Sequence, residues 1–205
     1  MLKTYSLHNV ILSGQITSAA LDAELAAPAS LGAFHDLCEN EQWIRSIVNS
    51  SIAVPVVFMS TRAVSAMFAH VTAKREIWGS RTAIGYIAGN STARGCLDAF
   101  RLGGSYDVYR TTGSEPSSTS FIYGGKTLIL QVSITSVTNS FPLMIAGMSG
   151  GSSSNANSAF SASGTQGAML DVYRSFQSPV LSVNSGGSSS NHGGRGICYY
   201  IKMDV

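Results

Sequence analysis

Apolar residues in the first half of the chain recur every ten positions. Alanine takes the third position of five successive blocks, and a larger apolar residue takes the seventh. These positions are four residues apart, so they lie on the same face of an α-helix. The pattern therefore predicts one short helix in each block, buried along that face. The predicted core of the repeats consists of Ala53, Ala63, Ala73, Ala83, Ala93, Ile77, Ile87 and Leu97.

Polar residues and glycines divide the repeats into separate helices. Serine, threonine or asparagine, the preferred N-cap residues, stand just ahead of these alanines. Gly79 and Gly89 fall where a left-handed C-cap is expected. A helix of two turns is unstable alone, so residues 16–104 are predicted to form an array of short stacked helices. The alternative is one continuous helix, but a ten-residue period matches neither repeat of supercoiled helices.

The pattern weakens toward the start of the chain. Ala23 and Ala33 continue the alanine column without the other features of the repeat. Residues 1–15 precede the array and carry apolar residues such as Tyr5 and Leu7. They predict an N-terminal strand or arm, which packs either on its own chain or on a neighbouring subunit.

Alternation of apolar and polar residues marks the second half as β-structure. Leu128 and Leu130 begin one such run, in which Ile129 is the exception, and a second run begins at Ile197. About seven short candidate strands lie within residues 105–205, which predicts an antiparallel β-sandwich or jelly-roll-like domain. The predicted fold class is therefore α+β, with the helical array ahead of the β-domain.

Serine and glycine dominate two segments of the β-domain, residues 149–164 and 185–196. Loops of this length in a compact domain are commonly functional, and small hydrogen-bonding residues suit an adaptable contact surface. If both leave the same end of the sandwich, they form one surface; flexible connection is the alternative. Arg195 would pair with a carboxylate or phosphate of a polysaccharide, or merely keep its loop soluble. The predicted contact residues are Asn155, Asn157, Asn191, His192 and Arg195.

Composition excludes several classes of protein. Charged residues make up 12% of the chain and the net charge is +2, whereas nucleic-acid binding needs a basic excess or stripe. No apolar run approaches the roughly 20 residues of a membrane-spanning helix. Cys38, Cys96 and Cys198 fit neither a disulfide framework nor a zinc pattern and are expected to be reduced. A surface of small neutral side chains favours a protein that packs into an assembly.

No arrangement of residues indicates catalysis, so the chain is predicted not to be an enzyme and to use no cofactor. The four histidines lie in different segments without metal-ligand spacing, and no phosphate loop or nucleophile elbow is present. Asp107 and Asp171 begin two copies of the sequence Asp-Val-Tyr-Arg. They leave a glycosidase-type carboxylate pair as a minor alternative. The two copies arise from a decayed duplication or by chance.

The repeats resemble those of a family of virion proteins. The segments 81–87 (RTAIGYI) and 91–97 (STARGCL) are similar to the Ser/Thr-Ala arrays of bacteriophage tail-fibre and tail-tip proteins. In those proteins the array often adjoins a glycine- and serine-rich β-domain, and this chain has the same order. The resemblance covers roughly residues 20–100 and transfers no catalytic residue.

The resemblance implies a structural virion protein, made in the host cytoplasm and associated with a tail fibre, tip or baseplate. Its helical array would attach to the particle, and its β-domain would contact the host surface or another virion component. Expected partners are other virion proteins, further copies of the chain in a homo-oligomer, and a host polysaccharide or protein. The alternative is a carbohydrate-binding module or adhesin outside a phage.

Overall fold

The chain divides into a helical unit and a unit of β-strands. The computed structural model describes residues 3–109, 117–136, 144–150, 161–164, 169–185 and 193–205. Met1–Arg101 together with Met203–Val205 form one compact unit, and Leu102–Lys202 form the other. The first holds the helices and the second the strands, so the predicted α+β fold class is confirmed.

Short helices follow one another through the first unit. Within the described residues they are seven to twelve residues long, apart from a six-residue helix that contains Pro55. A single 3₁₀ turn, Asp98–Phe100, follows the last of them. The helices are α1 Thr4–Leu12, α2 Ser18–Glu24, α3 Pro28–Glu39, α4 Glu41–Val48, α5 Ala53–Phe58, α6 Thr61–Ala69, α7 Val71–Gly79, α8 Arg81–Gly89 and α9 Ser91–Leu97.

A single extended residue joins one helix to the next at four places. Asn40, His70, Ser80 and Asn90 each end one helix and begin another, with φ between −84° and −126° and ψ between 108° and 127°. Three of them also cap the following helix: the side-chain oxygens of Asn40, Ser80 and Asn90 accept the N–H three residues on. The ten-residue period is thus nine helical residues plus one extended residue.

The predicted left-handed C-caps are wrong. Gly79 and Gly89 are the last helical residues of α7 and α8, and neither has a positive φ. The residue after each glycine, Ser80 or Asn90, is extended and ends the helix, so no αL residue occurs there. A Cβ added at either glycine would meet no atom within 4 Å.

The helices are arranged much as residues are arranged in one α-helix. Each of the helices α1 to α6 packs against one or two helices that lie three or four positions further along the chain. Thus α2 contacts α5 and α6, α3 contacts α6 and α7, α4 contacts α7, α5 contacts α8, and α6 contacts α9. The helix axes therefore wind into a coil of between three and four helices per turn. Each short helix is stabilised by neighbours from the turns before and after it.

The two apolar columns lie inside this coil. Each of the eight residues predicted as the repeat core, from Ala53 to Leu97, is 0–1% exposed. The weaker early columns are a different case, because Ala23 is exposed and Ala33 half-buried. The buried positions there are instead Leu21 of α2 and Leu25, the residue directly after α2, which keep the four-residue spacing but shift it by two residues.

The prediction of a strand or arm for residues 1–15 is wrong. Residues 4–12 form α1, and Leu7 and Ile11 are fully buried in the helical unit. These two are four residues apart, which is the spacing of one helical face. Tyr5 and Leu7 alternate as in a strand, which is why the sequence predicted one. However, Tyr5 is 66% exposed, so the alternation does not mark the buried face.

The second unit contains two four-stranded antiparallel sheets among the described residues. The strand order is β1-β8-β3-β6 in the first sheet and β2-β7-β4-β5 in the second, which is the jelly-roll arrangement. Face-to-face packing of the two sheets stays a prediction. The strands are β1 Leu102–Tyr109, β2 Ser117–Phe121, β3 Lys126–Ser136, β4 Met144–Gly150, β5 Ser161–Gly164, β6 Met169–Gln177, β7 Pro179–Ser185 and β8 Gly193–Lys202.

Irregular pairing explains the exception in the apolar alternation of β3. The register shifts between Ile129 and Gln131 toward both neighbouring strands, as at a β-bulge. Consequently Ile129 and Leu130 are both buried, at 0% and 3% exposure. The alternation predicted along β8 is interrupted at the same level, since Cys198 and Ile201 are buried although they lie three residues apart.

The last described residues belong to the helical unit although they follow β8. Met203 is fully buried, and the charge of Asp204 acts on Lys74 of α7. Burial lowers the pKa of Lys74, and the nearby carboxylate opposes that shift in part. The strand unit is therefore inserted into the sequence of the helical unit.

Candidate functional site

The predicted contact loops are shorter than their sequence suggested. Strand residues occupy both ends of each segment: residues 149–150 belong to β4, 161–164 to β5, 185 to β7 and 193–196 to β8. The stretches 151–160 and 186–192, which hold Asn155, Asn157, Asn191 and His192, lie outside the described residues. Neutral serines and glycines are thus compatible with strands here, and composition alone misjudged where the strands end.

The two connections do not leave the same end of their sheet. In the antiparallel pair of β4 and β7, Met144 lies opposite Ser185 and Gly150 opposite Pro179. The stretch after Gly150 therefore starts about 20 Å from the stretch after Ser185, at the rise of an extended strand. The single contact surface built from both loops, which depended on a common end, is wrong.

Arg195 lies in a strand and not in a loop. Its backbone belongs to β8 and pairs with Asp107 of β1 on one side and Thr135 of β3 on the other. A position in the middle of a sheet has a fixed register. The sequence predicted a loop here, since glycines flank Arg195. The structure shows that its backbone belongs to a strand instead.

The proposed carboxylate pair is too widely separated for glycoside hydrolysis. Asp107 lies on β1 and Asp171 on β6, which are the two edge strands of one four-stranded sheet. Three strand spacings correspond to about 14 Å, whereas such pairs lie roughly 5–9.5 Å apart. Asp171 instead accepts a hydrogen bond from the amide of Gln131 at 2.8 Å. This alternative is therefore excluded.

A cavity in the helical unit brings polar and apolar side chains together. Its volume is about 320 Å³, and it lies between the end of α2, the face of α3 and the face of α6. Small residues on α6 leave the space open. The lining consists of Leu25, Ala26, Leu31, His35, Arg62, Ser65, Ala66 and Ala69.

Arg62 is positioned at this cavity by Asp22 of α2. One guanidinium nitrogen, Nη1, forms an ion pair with the Asp22 carboxylate, and the backbone N–H of Arg62 donates to Oδ1 of Asp22 at 3.0 Å. Ser60, the N-cap of α6, donates to the same Oδ1 at 2.9 Å. These contacts, above all the bond from the Arg62 backbone, lower the pKa of Asp22. The carboxylate thus joins two helices that are four positions apart.

His35 is positioned by a second histidine. Its Nδ1 lies 2.7 Å from Nε2 of His70, so one of these two nitrogens carries a hydrogen and the other accepts it. The other nitrogen of His70, Nδ1, lies 3.4 Å from a carboxylate oxygen of Glu39. The contacts tie α3 to the residue that joins α6 and α7. A chain of hydrogen-bonding groups thus runs from Glu39 to the wall of the cavity.

Three other reactive side chains, His8, Cys38 and Cys198, are buried. His8 stacks on Trp43 and bonds through Nε2 to Oγ of Ser46 at 2.8 Å, and burial lowers its pKa. Burial raises the pKa of the Cys38 thiol, and likewise raises that of Cys198 in the strand unit to about 12. A neutral buried thiol is a poor nucleophile.

These pairs were not recognised in the sequence because their members are far apart. His35 and His70 are 35 residues apart, and Asp22 and Arg62 are 40 apart. The winding of the helices explains why residues so far apart in the sequence meet. With ten residues per helix and three to four helices per turn, polar residues 30–40 positions apart become neighbours.

Two other kinds of site are absent from the part of the chain that the structure describes. No group of three or more His, Cys, Asp or Glu residues there could hold a metal ion. No described helix combines the length and apolar character needed to cross a membrane.

Comparisons with known proteins add a distant likeness to a solved structure. No protein-family model matches the sequence, and no curated protein is similar to it. Among solved structures, a chain of the cyanophage Pam1 capsid asymmetric unit is similar over 50% of this chain and 84% of its own length. The identity is 18% and the TM-score 0.27, well below the similarity of a shared fold.

Proposed function

We propose that this chain is a structural protein of a bacteriophage virion and has no catalytic role. The observation that carries the proposal is the combination, in one chain, of a coil of helices that repeat every ten residues with described strands, β1 to β8, in jelly-roll order. The helical repeats resemble those of tail-fibre and tail-tip proteins. Jelly rolls are common in viral capsid and lectin domains, where they present loops from a rigid scaffold.

Low charge supports a role in an assembly. Only 12% of the residues are charged, about half the share in an ordinary soluble domain. Charged residues are depleted where protein surfaces are buried against partners. The coil also has two ends, and terminal units of repeat arrays need a cap or a partner. The proposed partners are therefore other virion proteins and further copies of this chain.

Detection of the chain in purified particles tests the proposal directly. Quantitative mass spectrometry of phage particles, washed at high salt, is expected to find it at a fixed copy number relative to the major capsid protein. Antibody labelling in electron microscopy then distinguishes a tail position, which the repeats favour, from a capsid position. Absence from washed particles would contradict the virion role itself.

We further propose different roles for the two serine- and glycine-rich connections, because the strand residues that precede them lie at opposite ends of the β4–β7 pair. Residues 151–160 would face one partner, and residues 186–192 the other, so that one end meets the particle and the other the host surface. Shortening each stretch separately, followed by assays of assembly and of adsorption to host cells, tests this. Loss of assembly from one deletion and of adsorption from the other is expected. The same defect from both would contradict it.

A carbohydrate-binding protein outside a phage is the competing function, because lectin domains share the jelly-roll arrangement. Glycan binding by the purified chain, combined with its absence from particles, would favour that function. Sedimentation addresses the proposed homo-oligomer. A well-folded monomer, both alone and with the other particle proteins, would count against assembly.

A further inference from the structure

The cavity beside Arg62 has the size and lining of a ligand site. Pockets for small molecules are mostly apolar, start at roughly 300 Å³ and contain a few polar groups that orient the ligand. Here the volume is about 320 Å³, with Leu25 and Leu31 among the apolar residues and with Arg62, His35 and Ser65 as the polar ones. At about 30 Å³ for each non-hydrogen atom, as for water in the liquid, it would hold about ten such atoms.

The chemistry of Arg62 selects the charge of the ligand. A guanidinium has five N–H donors, and only Nη1 is used by Asp22, through the carboxylate and the main-chain oxygen. The side chain is 50% exposed, so its other nitrogens are not enclosed by protein. Nε and Nη2 form a planar fork that matches the two oxygens of a carboxylate. The pairing with Asp22 fixes the guanidinium without occupying that fork.

The apolar part of the lining selects the rest of the ligand. Ser65, Ala66 and Ala69 follow Arg62 at intervals of three, four and seven residues, so all four share one face of α6. Their small side chains form one wall, and the leucines of α2 and α3 form the other. A short hydrocarbon body fits between them, while a compact inorganic anion would leave the apolar walls uncovered.

We propose that this cavity binds an organic carboxylate with a short hydrocarbon body, held by the Arg62 guanidinium. His35 contributes a second hydrogen-bonding group, which His70 holds in place through the 2.7 Å nitrogen–nitrogen contact. The ligand contacts α2, α3 and α6 together, and it therefore binds the wound form of the helical unit.

Titration of the full chain with hexanoate, followed by protein NMR, tests the proposal. Saturable binding with a dissociation constant on the order of 1 mM is expected for a ligand of this size. Hexanol lacks the carboxylate that pairs with Arg62 and should bind at least about tenfold more weakly than hexanoate. Acetate lacks the hydrocarbon body and should also bind at least about tenfold more weakly, since each buried methylene contributes about fourfold to the affinity. Equal binding of hexanol and hexanoate, or no saturation by hexanoate, would overturn the proposal.

Two variants locate the site. Ala69→Phe fills the cavity from an exposed position and should abolish hexanoate binding, whereas Ala88→Phe places the same side chain at an exposed position of α8 and should leave it unchanged. Arg62→Lys keeps the charge beside Asp22 but removes the fork, and should weaken binding about tenfold. Thermal melting verifies the fold of each variant. Unchanged hexanoate binding by folded Ala69→Phe would show that the ligand lies elsewhere.

Discussion

Glycine-to-alanine substitution tests the helical repeats most directly, because the structure predicts opposite signs at different glycines. Gly85 and Gly95 lie inside α8 and α9, are exposed, and have ordinary helical φ angles. A Cβ at either position meets no atom within 4 Å, so the substitution changes neither packing nor strain. What remains is the intrinsic helix preference of alanine and the smaller entropy of the unfolded chain.

The expected gain is therefore about 0.8 kcal/mol for Gly85→Ala, and about twice that for the double variant with Gly95→Ala if the effects add. For a helical unit of this size, 0.8 kcal/mol corresponds to a rise in Tm of about 4 °C. Urea unfolding followed by far-ultraviolet circular dichroism measures the change in midpoint at constant slope.

Gly14 provides the opposite case. Its φ is +68°, and an added Cβ would lie 2.8 Å from Cγ2 of Ile52. Gly14→Ala should thus lose at least about 1 kcal/mol, from the left-handed backbone alone. A stabilised Gly14→Ala would refute the left-handed backbone at Gly14, and a destabilised Gly85→Ala would refute the position of Gly85 inside α8.

Three further predictions concern the core, the joints and pH. Ile87→Ala should lower the free energy of unfolding by about 2–5 kcal/mol because it opens a cavity, and Ala83→Leu should lower it by about 1–3 kcal/mol because it overpacks the core. Urea midpoints measure both losses, and unchanged midpoints would mean that the two apolar columns are not a packed core. Ser80→Ala should lower the free energy of unfolding by about 1–2 kcal/mol in the same assay, since the hydroxyl caps α8 and donates to the buried carbonyl of Val48 at 2.6 Å. An unchanged midpoint would show that this cap does not stabilise the helix. His8 has a lowered pKa, so the unfolded chain binds its proton first and stability should fall as pH drops below about 6.5. Comparing urea unfolding at pH 7.5 and 5.5 in wild type and His8→Gln checks this, and an equal loss in both would assign the effect to other groups.

The repeat was readable from the sequence because one short unit recurs unchanged. Alanine and a larger apolar residue four positions later define a helical face without any knowledge of the neighbours. The position of the joint was harder to see. For four of the five alanines the side chain three residues earlier, such as that of Ser80 or Asn90, accepts the alanine N–H. The threonines nearer to Ala83 and Ala93 lie inside the helix.

The rest could not be derived from local pattern. The cavity depends on contacts between α2, α3 and α6, which follow from the winding of the coil and leave no mark in any single block. In the strand unit, the bulge at Leu130 turns two consecutive residues inward, and a period of two cannot anticipate it. Serine- and glycine-rich composition predicts loops, yet residues 161–164 pair with β4 through their backbone groups, which every residue type except proline supplies in full.

The insertion of the strand unit into the helical unit has a consequence for folding during synthesis. The helical residues up to Arg101 are synthesised before the strand unit, but Met203, one of the fully buried side chains of the helical unit, is made about a hundred residues later. At roughly 5–20 residues per second, that interval is about 5–20 s. During it the coil exposes the surface that Met203 later covers. The helical unit is thus completed only after the described strands β1 to β8 have been synthesised.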